Sequence, residues 1–367
     1  MTQFIQLHVL TSYPPSNLNR DDMGRPKTAR MGNAQRLRIS SQSLKRHWRV
    51  SDVFESALSE HVGTRTKLIG VGVEKKLNEA GIKDKVVKDT AEKIASVFGK
   101  VSTKRPPEIE QLVHISPSEQ QTIDELVQQV IETGDVPDDD QLALLKKENM
   151  AVDIALFGRM LAKKPAFNVE AACQVAHAIS VQQVAIEDDY FTAVDDLKGA
   201  DAEDSGAAHI GETNFASAVF YEYVCINKDL LIENLNGNTE LAEKALAALV
   251  EAIATVAPSG KQNSFASRAF ASYVMAEKGS MQPRSLSVAY LKPINGDNVL
   301  PDAIASIEAH QQKFDAVYGK CADSRYILNT ETSSTDGNKS NDNKTDTKGT
   351  LDGLKAFVSN DGKSNYE

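Results

Sequence analysis

Apolar and polar residues alternate at the start of the chain, where Phe4, Gln6, His8 and Leu10 interleave with Ile5, Leu7 and Val9. A period of two in residues of high strand propensity predicts a first β-strand, placed centrally in a sheet. The next stretch, Thr11 to Ala34, carries Pro14-Pro15 and Gly24-Arg25-Pro26-Lys27 and is expected to lack regular structure over most of its length. Arg36-Leu37-Arg38-Ile39 then reads as a short strand running into Ser40-Ser41, whose hydroxyls suit the free amides of a helix start. In that helix Gln42, Lys45, Arg46 and Arg49 fall at i, i+3, i+4 and i+7 and share one face. Leu44 and Trp48 form an apolar stripe beside it, so one face docks while the other stays cationic.

Downstream the period changes. From Asp52 to Met150 helical segments, notably Lys83 to Val97 and Ser118 to Ile131, are separated by polar stretches, which predicts a helical insertion. Val152 to Phe157 is expected as a strand, followed by Gly158-Arg159-Met160 and a helix from Asn168 to Ser180. Cys173 and His177 would be i, i+4 neighbours on that helix. With no second pair nearby, a core role is the better reading than a metal site. Gln182 to Glu212 reads as a long β-hairpin arm, and its paired acids, Asp188-Asp189 and Asp195-Asp196, fit turns and solvated charge better than a two-metal centre. Strands are expected at Phe215 to Ile226, Ala269 to Met275, Ser285 to Leu291 and Arg325 to Leu328, and helices at Thr239 to Val256 and Leu300 to Tyr318. Asn329 to Gly349 is almost wholly Ser, Thr, Asn, Asp, Lys and Gly and is expected as a flexible connection. Leu351, Leu354 and Val358 mark a last short helix that docks back on the body.

Charge changes this picture. The 367 residues carry a formal net charge of -10 and 41% apolar residues, a globular composition that argues against a generic nucleic-acid binder. Yet residues 1–50 hold nine Lys/Arg against two Asp, a net of +7, which leaves −17 for the remainder. No acidic residue interrupts the run from Met23 to Ser51. Such asymmetry points to a basic site focused on one part of an acidic body, and a cationic helix N-terminus is a ready anion site. Read alone, the helix is equally an ordinary amphipathic one with a solvated basic face. Cys173, Cys225 and Cys321 are far apart and form no CxxC pair, so neither a disulfide framework nor a zinc ribbon is indicated, and a cytoplasmic location is expected. There is no signal-like start and no run of 18 apolar residues, so no membrane partner is expected.

Four ordered motifs carry a family resemblance. Leu18-Asn19-Arg20-Asp21-Asp22, Arg38-Ile39-Ser40-Ser41-Gln42-Ser43-Leu44-Lys45-Arg46, Asp153-Ile154-Ala155-Leu156 with Gly158-Arg159-Met160, and Phe191-Thr192-Ala193-Val194-Asp195-Asp196-Leu197 resemble the CasC backbone subunits of type I-E CRISPR Cascade complexes. The similarity runs in order to about Tyr223 and continues more weakly through Gly260-Lys261-Gln262. It implies an α+β fold: an RRM-like (ferredoxin-like) palm in two parts (1–51 and 151–328), helical fingers (52–150), a β-hairpin thumb (about 182–212), a linker (329–349) and a C-terminal helix (350–367). It also implies a non-enzymatic role without cofactors. Several copies would line up along a crRNA with CasA, CasB, CasD and CasE and hold it for pairing with a target DNA strand.

Residue by residue, the resemblance assigns Arg20, Lys27, Ser40, Gln42, Lys45, Arg46 and Arg49 to the guide's sugar-phosphate backbone. Met160 would pack against bases, and Phe191, Thr192 and Val194 would sit at the thumb tip beside a flipped nucleotide. Lys146 and Lys147 are candidate DNA contacts by approximate position. The division is physically sensible, because cations hold phosphates without reading sequence while apolar side chains stack on or wedge between bases. Two other readings stay open: a type III-like backbone subunit cutting target RNA through Asp21 or Asp22, and a stand-alone RNA-binding module.

Overall fold

One long strand organises the chain. In the computed structural model, which describes residues 2–147, 150–193, 209–331 and 346–360, β1 (Phe4–Ser16) sends Ile5, Leu7 and Val9 into the main core. Leu10 enters a second core instead. The strand outruns its expected end at Leu10 and passes through Pro14-Pro15, where its pairing register shifts between Tyr13 and Ser16. Proline lacks an amide donor and is tolerated at such an irregularity. Regular structure also enters the supposed loop as β2 (Thr28–Met31), which pairs with β3 (Ala34–Ile39) across a turn containing Gly32 at φ +61. Then α1 (Ser41–Arg49) and α2 (Asp52–Leu58), each capped by a serine hydroxyl, bury Leu44, Trp48, Phe54 and Leu58 in the main core.

A separate apolar cluster follows. It comprises β4 (Thr64–Thr66), α3 (Ile69–Glu79), α4 (Asp84–Phe98), β5 (Val113–Ile115) and α5 (Pro117–Thr133). Val73, Leu77, Ile94, Ile123 and Val127 lie at its centre, and β4 and β5 form a two-stranded antiparallel ribbon. The two helices expected here are present as α4 and α5. In α5 the start is fixed by a Ser116/Glu119 capping box with Pro117 behind it, and the end by Gly134 at φ +74.

Three expectations fail beyond this point. Val152 to Phe157 is a helix, α6 (Val152–Phe157), not a strand. Its residues from Val152 to Leu156 are all buried, so no polar face marks a period, and a short apolar run of this kind is ambiguous. Asn168 to Ser180 contains no α-helix; it forms β6 (Cys173–Val175) and β7 (Ala178–Ser180). Both pair with a long strand far away in sequence, and that ladder overrides local propensity. The arm is as expected in its described part: β8 (Glu187–Ala193) pairs with β9 (His209–Asn227), from Glu187 opposite Phe215 to Ala193 opposite His209. Val194 and Asp195-Asp196-Leu197 lie outside the described residues.

The chain continues through α7 (Lys228–Asn234), α8 (Thr239–Thr255), α9 (Gln262–Phe265), β10 (Tyr273–Gly279), α10 (Val299–Tyr318), β11 (Ser324–Asn329), β12 (Asp346–Lys348) and α11 (Leu351–Ser359). The strand expected at Ala269 to Met275 starts four residues later, at Tyr273. Ser285 to Leu291 is no strand but contains a 3-10 turn, held by the buried Tyr290, whose hydroxyl donates to Ala303 O at 3.0 Å. Of the polar connection, Asp346–Lys348 pairs in parallel with β11, while residues 332–345 lie outside the described set.

The strands run in the order β12-β11-β10-β1-β9-β7-β3-β2, antiparallel except for β11 with β12, so β1 is central as expected. One face carries α1, α2, α8 and α11, through residues such as Trp48, Leu246, Leu249 and Leu354. The opposite face carries α10, through Ala303, Ile304 and Ile307. Burying both faces of the sheet fixes the ends of β3 and β9, from which the candidate site projects.

Candidate nucleic-acid interface

The site begins at the first turn of α1. Ser40 accepts the Ser43 amide at 3.3 Å, and Ser41 N–H donates to His177 Nδ1 at 3.0 Å. Two of the free amides are thereby satisfied within the chain. Burial first, then Arg38 and Lys27, lower the His177 pKa, a sign that three basic groups crowd this helix end. Leu44 and Trp48 are buried as the periodicity requires, while Gln42 and Arg46 are exposed and Lys45 and Arg49 half-buried. Arg36, two residues before Arg38, is instead fully buried and donates to Ser180 O, Val181 O and Tyr290 O. It holds the sheet edge and takes no part in the surface.

The basic loop is tied down on both sides. Asn19 Oδ1 accepts the Ser40 amide, and Arg38 N–H donates to Lys27 O, which fixes Lys27 beside the helix start. On the other side Asn17 donates to Asn214 O, and Arg25 lies 3.6 Å from Asp188, both at the base of the hairpin arm. Asp21 Oδ1 accepts the amides of Met23 and Arg25, so its carboxylate shapes the turn. Gly260 completes the junction: a Cβ there would meet Leu18 O at 2.3 Å, and only glycine lets the segment approach so closely. Its neighbour Lys261 donates to Thr213 Oγ1 at 2.8 Å.

Between α1 and the β4–β5 ribbon lies a cleft of about 340 Å³. Gln42, Lys45, Arg46 and Arg49 form one wall; Met160, 82% exposed, closes one side. Lys45 Nζ stands 5.8 Å from the centroid of the Phe157 ring, which also lines the cleft. Among the described residues no carboxylate lines it. The nearby acids are buried behind it and hold the structure together. Asp153 Oδ2 accepts His114 Nε2 at 2.7 Å and lies 3.5 Å from Arg49, while Oδ1 accepts Gly63 N at 2.8 Å. Glu119 accepts Arg159 Nη1 at 2.7 Å and the amides of Ser116 and Lys146. Arg159 and Asp153 therefore position Met160 and the ribbon.

The remaining expected residues lie apart from this cleft. Arg20 is exposed in the loop, bridged to Pro26. Phe191 and Thr192 are on β8; the Phe191 ring lies across the neighbouring strand, where a Cβ on Gly211 would meet its Cζ at 2.3 Å. Val194 is outside the described residues. Lys146 and Lys147 are not among the cleft's lining residues, and Lys147 Nζ sits 5.7 Å from the Phe167 ring centroid. Sequence reasoning missed His177, Arg65 and Leu112. His177 was read with Cys173 as a core residue rather than a metal ligand, but only Cys173 is buried and His177 is exposed beside the α1 start; the other two come to the cleft through a ribbon that no local pattern announces.

A sheet covered on both faces, with a helical lobe, a projecting hairpin and a cation-lined helix edge, is a known architecture. A chain of a "CRISPR RNA-guided surveillance complex, pre-nicking" matches with a TM-score of 0.81 and 27% identity, covering 97% of this chain and 100% of that one. A chain of a "CRISPR RNA-guided surveillance complex" matches in fold with a TM-score of 0.70 at 23% identity, covering 96% and 99%. Among curated proteins none matches the sequence. The chain belongs to the CT1975-like protein family, whose profile matches residues 5–356.

Proposed function

We propose that this chain is a non-catalytic backbone subunit of a CRISPR RNA-guided surveillance complex of type I-E, several copies of which hold one crRNA. The observation that carries the reading is the cleft at α1, lined by cations and exposed apolar groups and, among the described residues, by no carboxylate. Such a surface grips phosphates and accepts bases of any identity, which a subunit serving many guides requires. Full-length likeness to chains of RNA-guided surveillance complexes supports it. In this reading the sheet is an RRM-like palm, the loop with Arg20 and Lys27 lies along the guide backbone, and Phe191 on the arm serves as a wedge beside a flipped nucleotide. Target DNA pairs with the exposed guide bases, with CasA, CasB, CasD and CasE as the other subunits.

The test is co-expression with the neighbouring genes and a CRISPR array, purification through a tag on this chain, and sizing of bound RNA against protein stoichiometry. One RNA of about a repeat-spacer unit carrying several copies of the chain is expected. A single copy on heterogeneous RNA would favour the stand-alone RNA-binding module instead. Target-RNA cleavage lost on Asp21→Ala or Asp22→Ala would favour the type III-like reading, although Asp21 is already engaged in its turn.

A further inference from the structure

We propose that the β4–β5 ribbon is the second wall of the guide channel, with Arg65 contacting a backbone phosphate and Leu112 a base face. The proposal rests on the guide-binding reading and adds a contact from the helical lobe to it. Arg65 lines the same cleft as Lys45, Arg46 and Arg49, from the opposite side. It is exposed, and among the described residues no hydrogen bond or ion pair holds its guanidinium.

Its position is fixed all the same. Arg65 stands opposite His114 in the ribbon, and His114 Nε2 is anchored at 2.7 Å on the buried Asp153. Two residues before Arg65, the Gly63 amide donates to the same carboxylate at 2.8 Å. An arginine free at its tip, but set on a strand pinned to the main body, suits a phosphate that must be met at one place. Leu112, just before β5, is 52% exposed and lines the cleft together with Met160. Two exposed apolar side chains among cations, with no carboxylate among the described lining residues, form a surface for stacked bases and phosphates, which a solvated charged face would not provide.

Salt dependence separates the two roles. The full chain is titrated with guide-length single-stranded RNA over a range of salt. Arg65→Gln is expected to weaken binding and to flatten the slope of log K against log salt by roughly 0.7 per bound copy, the value for one lost phosphate contact on a single strand. Arg65→Lys keeps the slope. Leu112→Ser weakens binding severalfold and leaves the slope unchanged. Lys45→Gln serves as the reference for the α1 wall, and Lys313→Gln, on α10 across the sheet, as the control for overall charge. A flattened slope for Lys45→Gln with an unchanged one for Arg65→Gln would overturn the second wall while leaving the guide-binding reading intact. Unchanged slopes for both would overturn that reading itself. Equal flattening by Lys313→Gln would reduce the Arg65 effect to net charge and overturn the contact.

Discussion

Asp153 never reaches the surface, yet it decides whether the cleft keeps its shape. Its carboxylate is fully buried and gathers His114 Nε2 at 2.7 Å, Gly63 N at 2.8 Å and Ile154 N at 3.2 Å, with Arg49 at 3.5 Å. Asp153→Ala leaves the His114 ring, the Gly63 amide and the Arg49 charge without their acceptor. Each buried donor so abandoned costs about 1–3 kcal/mol, and removing one partner of a buried charged pair about 3–5 kcal/mol in all. Asp153→Asn keeps an oxygen for Gly63, and its amide can donate to a His114 ring that has changed tautomer. Only the charge-assisted part is then lost, about 1.5 kcal/mol. Urea unfolding followed by the fluorescence of Trp48, the chain's one tryptophan, reads this directly, since Trp48 is buried one position from Arg49. RNA affinity should fall in the same order, Ala below Asn below the parent chain, because the β4–β5 ribbon loses its anchor. A loss below 1 kcal/mol for Asp153→Ala, or equal losses for the two variants, would refute the reasoning.

Two further outcomes follow from single residues. Burial raises the Glu222 carboxyl to about 8, and its Oε1 has no hydrogen-bond partner. Between its ordinary value and about 8 the folded chain therefore keeps a proton that the unfolded chain has released. The stability contribution is full below that range and declines with rising pH by roughly 1.4 kcal/mol per unit, levelling above about 8. Glu222→Gln should remove this decline, so that the variant gains on the parent chain between pH 5.5 and 7.5 in paired unfolding curves; parallel curves would contradict the assignment. Gly211→Val should push the Phe191 ring off the neighbouring strand, because even a Cβ would come within 2.3 Å of it. RNA binding should then weaken as in Phe191→Ala, with no further loss in the double variant, whereas additive losses would show that the two positions act independently.

The sequence carried α1 almost completely, and the reason is that everything α1 needs is local: the serine cap, the cationic face and the Leu44/Trp48 stripe lie within nine residues of one another. α5 was legible for the same reason, through its helical period, whereas the hairpin arm was read from a segment with no period of its own. Where an element is made by a distant partner, local pattern misleads. Cys173 to Ser180 was read as helix although it supplies two short strands to β9, and α6 was read as strand because burial on all sides erased its period. The inner frame of the site was equally hidden. Glu119 and Arg159 are 40 residues apart in sequence, and His114 and Asp153 are 39 apart.

In the guide-binding reading, that hidden frame also explains how a chain with a net charge of -10 can offer a polyanion a cleft whose described lining holds no carboxylate. Asp153 and Glu119, which pair with cleft-lining residues, point inward, where they engage Arg49, His114 and Arg159 and the backbone amides around them. Their charge is consumed in fixing the walls. Arg46 and Arg65 are exposed in the cleft, and Lys45 is paired with an aromatic ring rather than with an acid. At physiological ionic strength, with a screening length near 8 Å, an incoming phosphate responds mainly to this local set and little to the acidic remainder of the chain. Placement of charge, rather than its total, therefore governs what the cleft can hold.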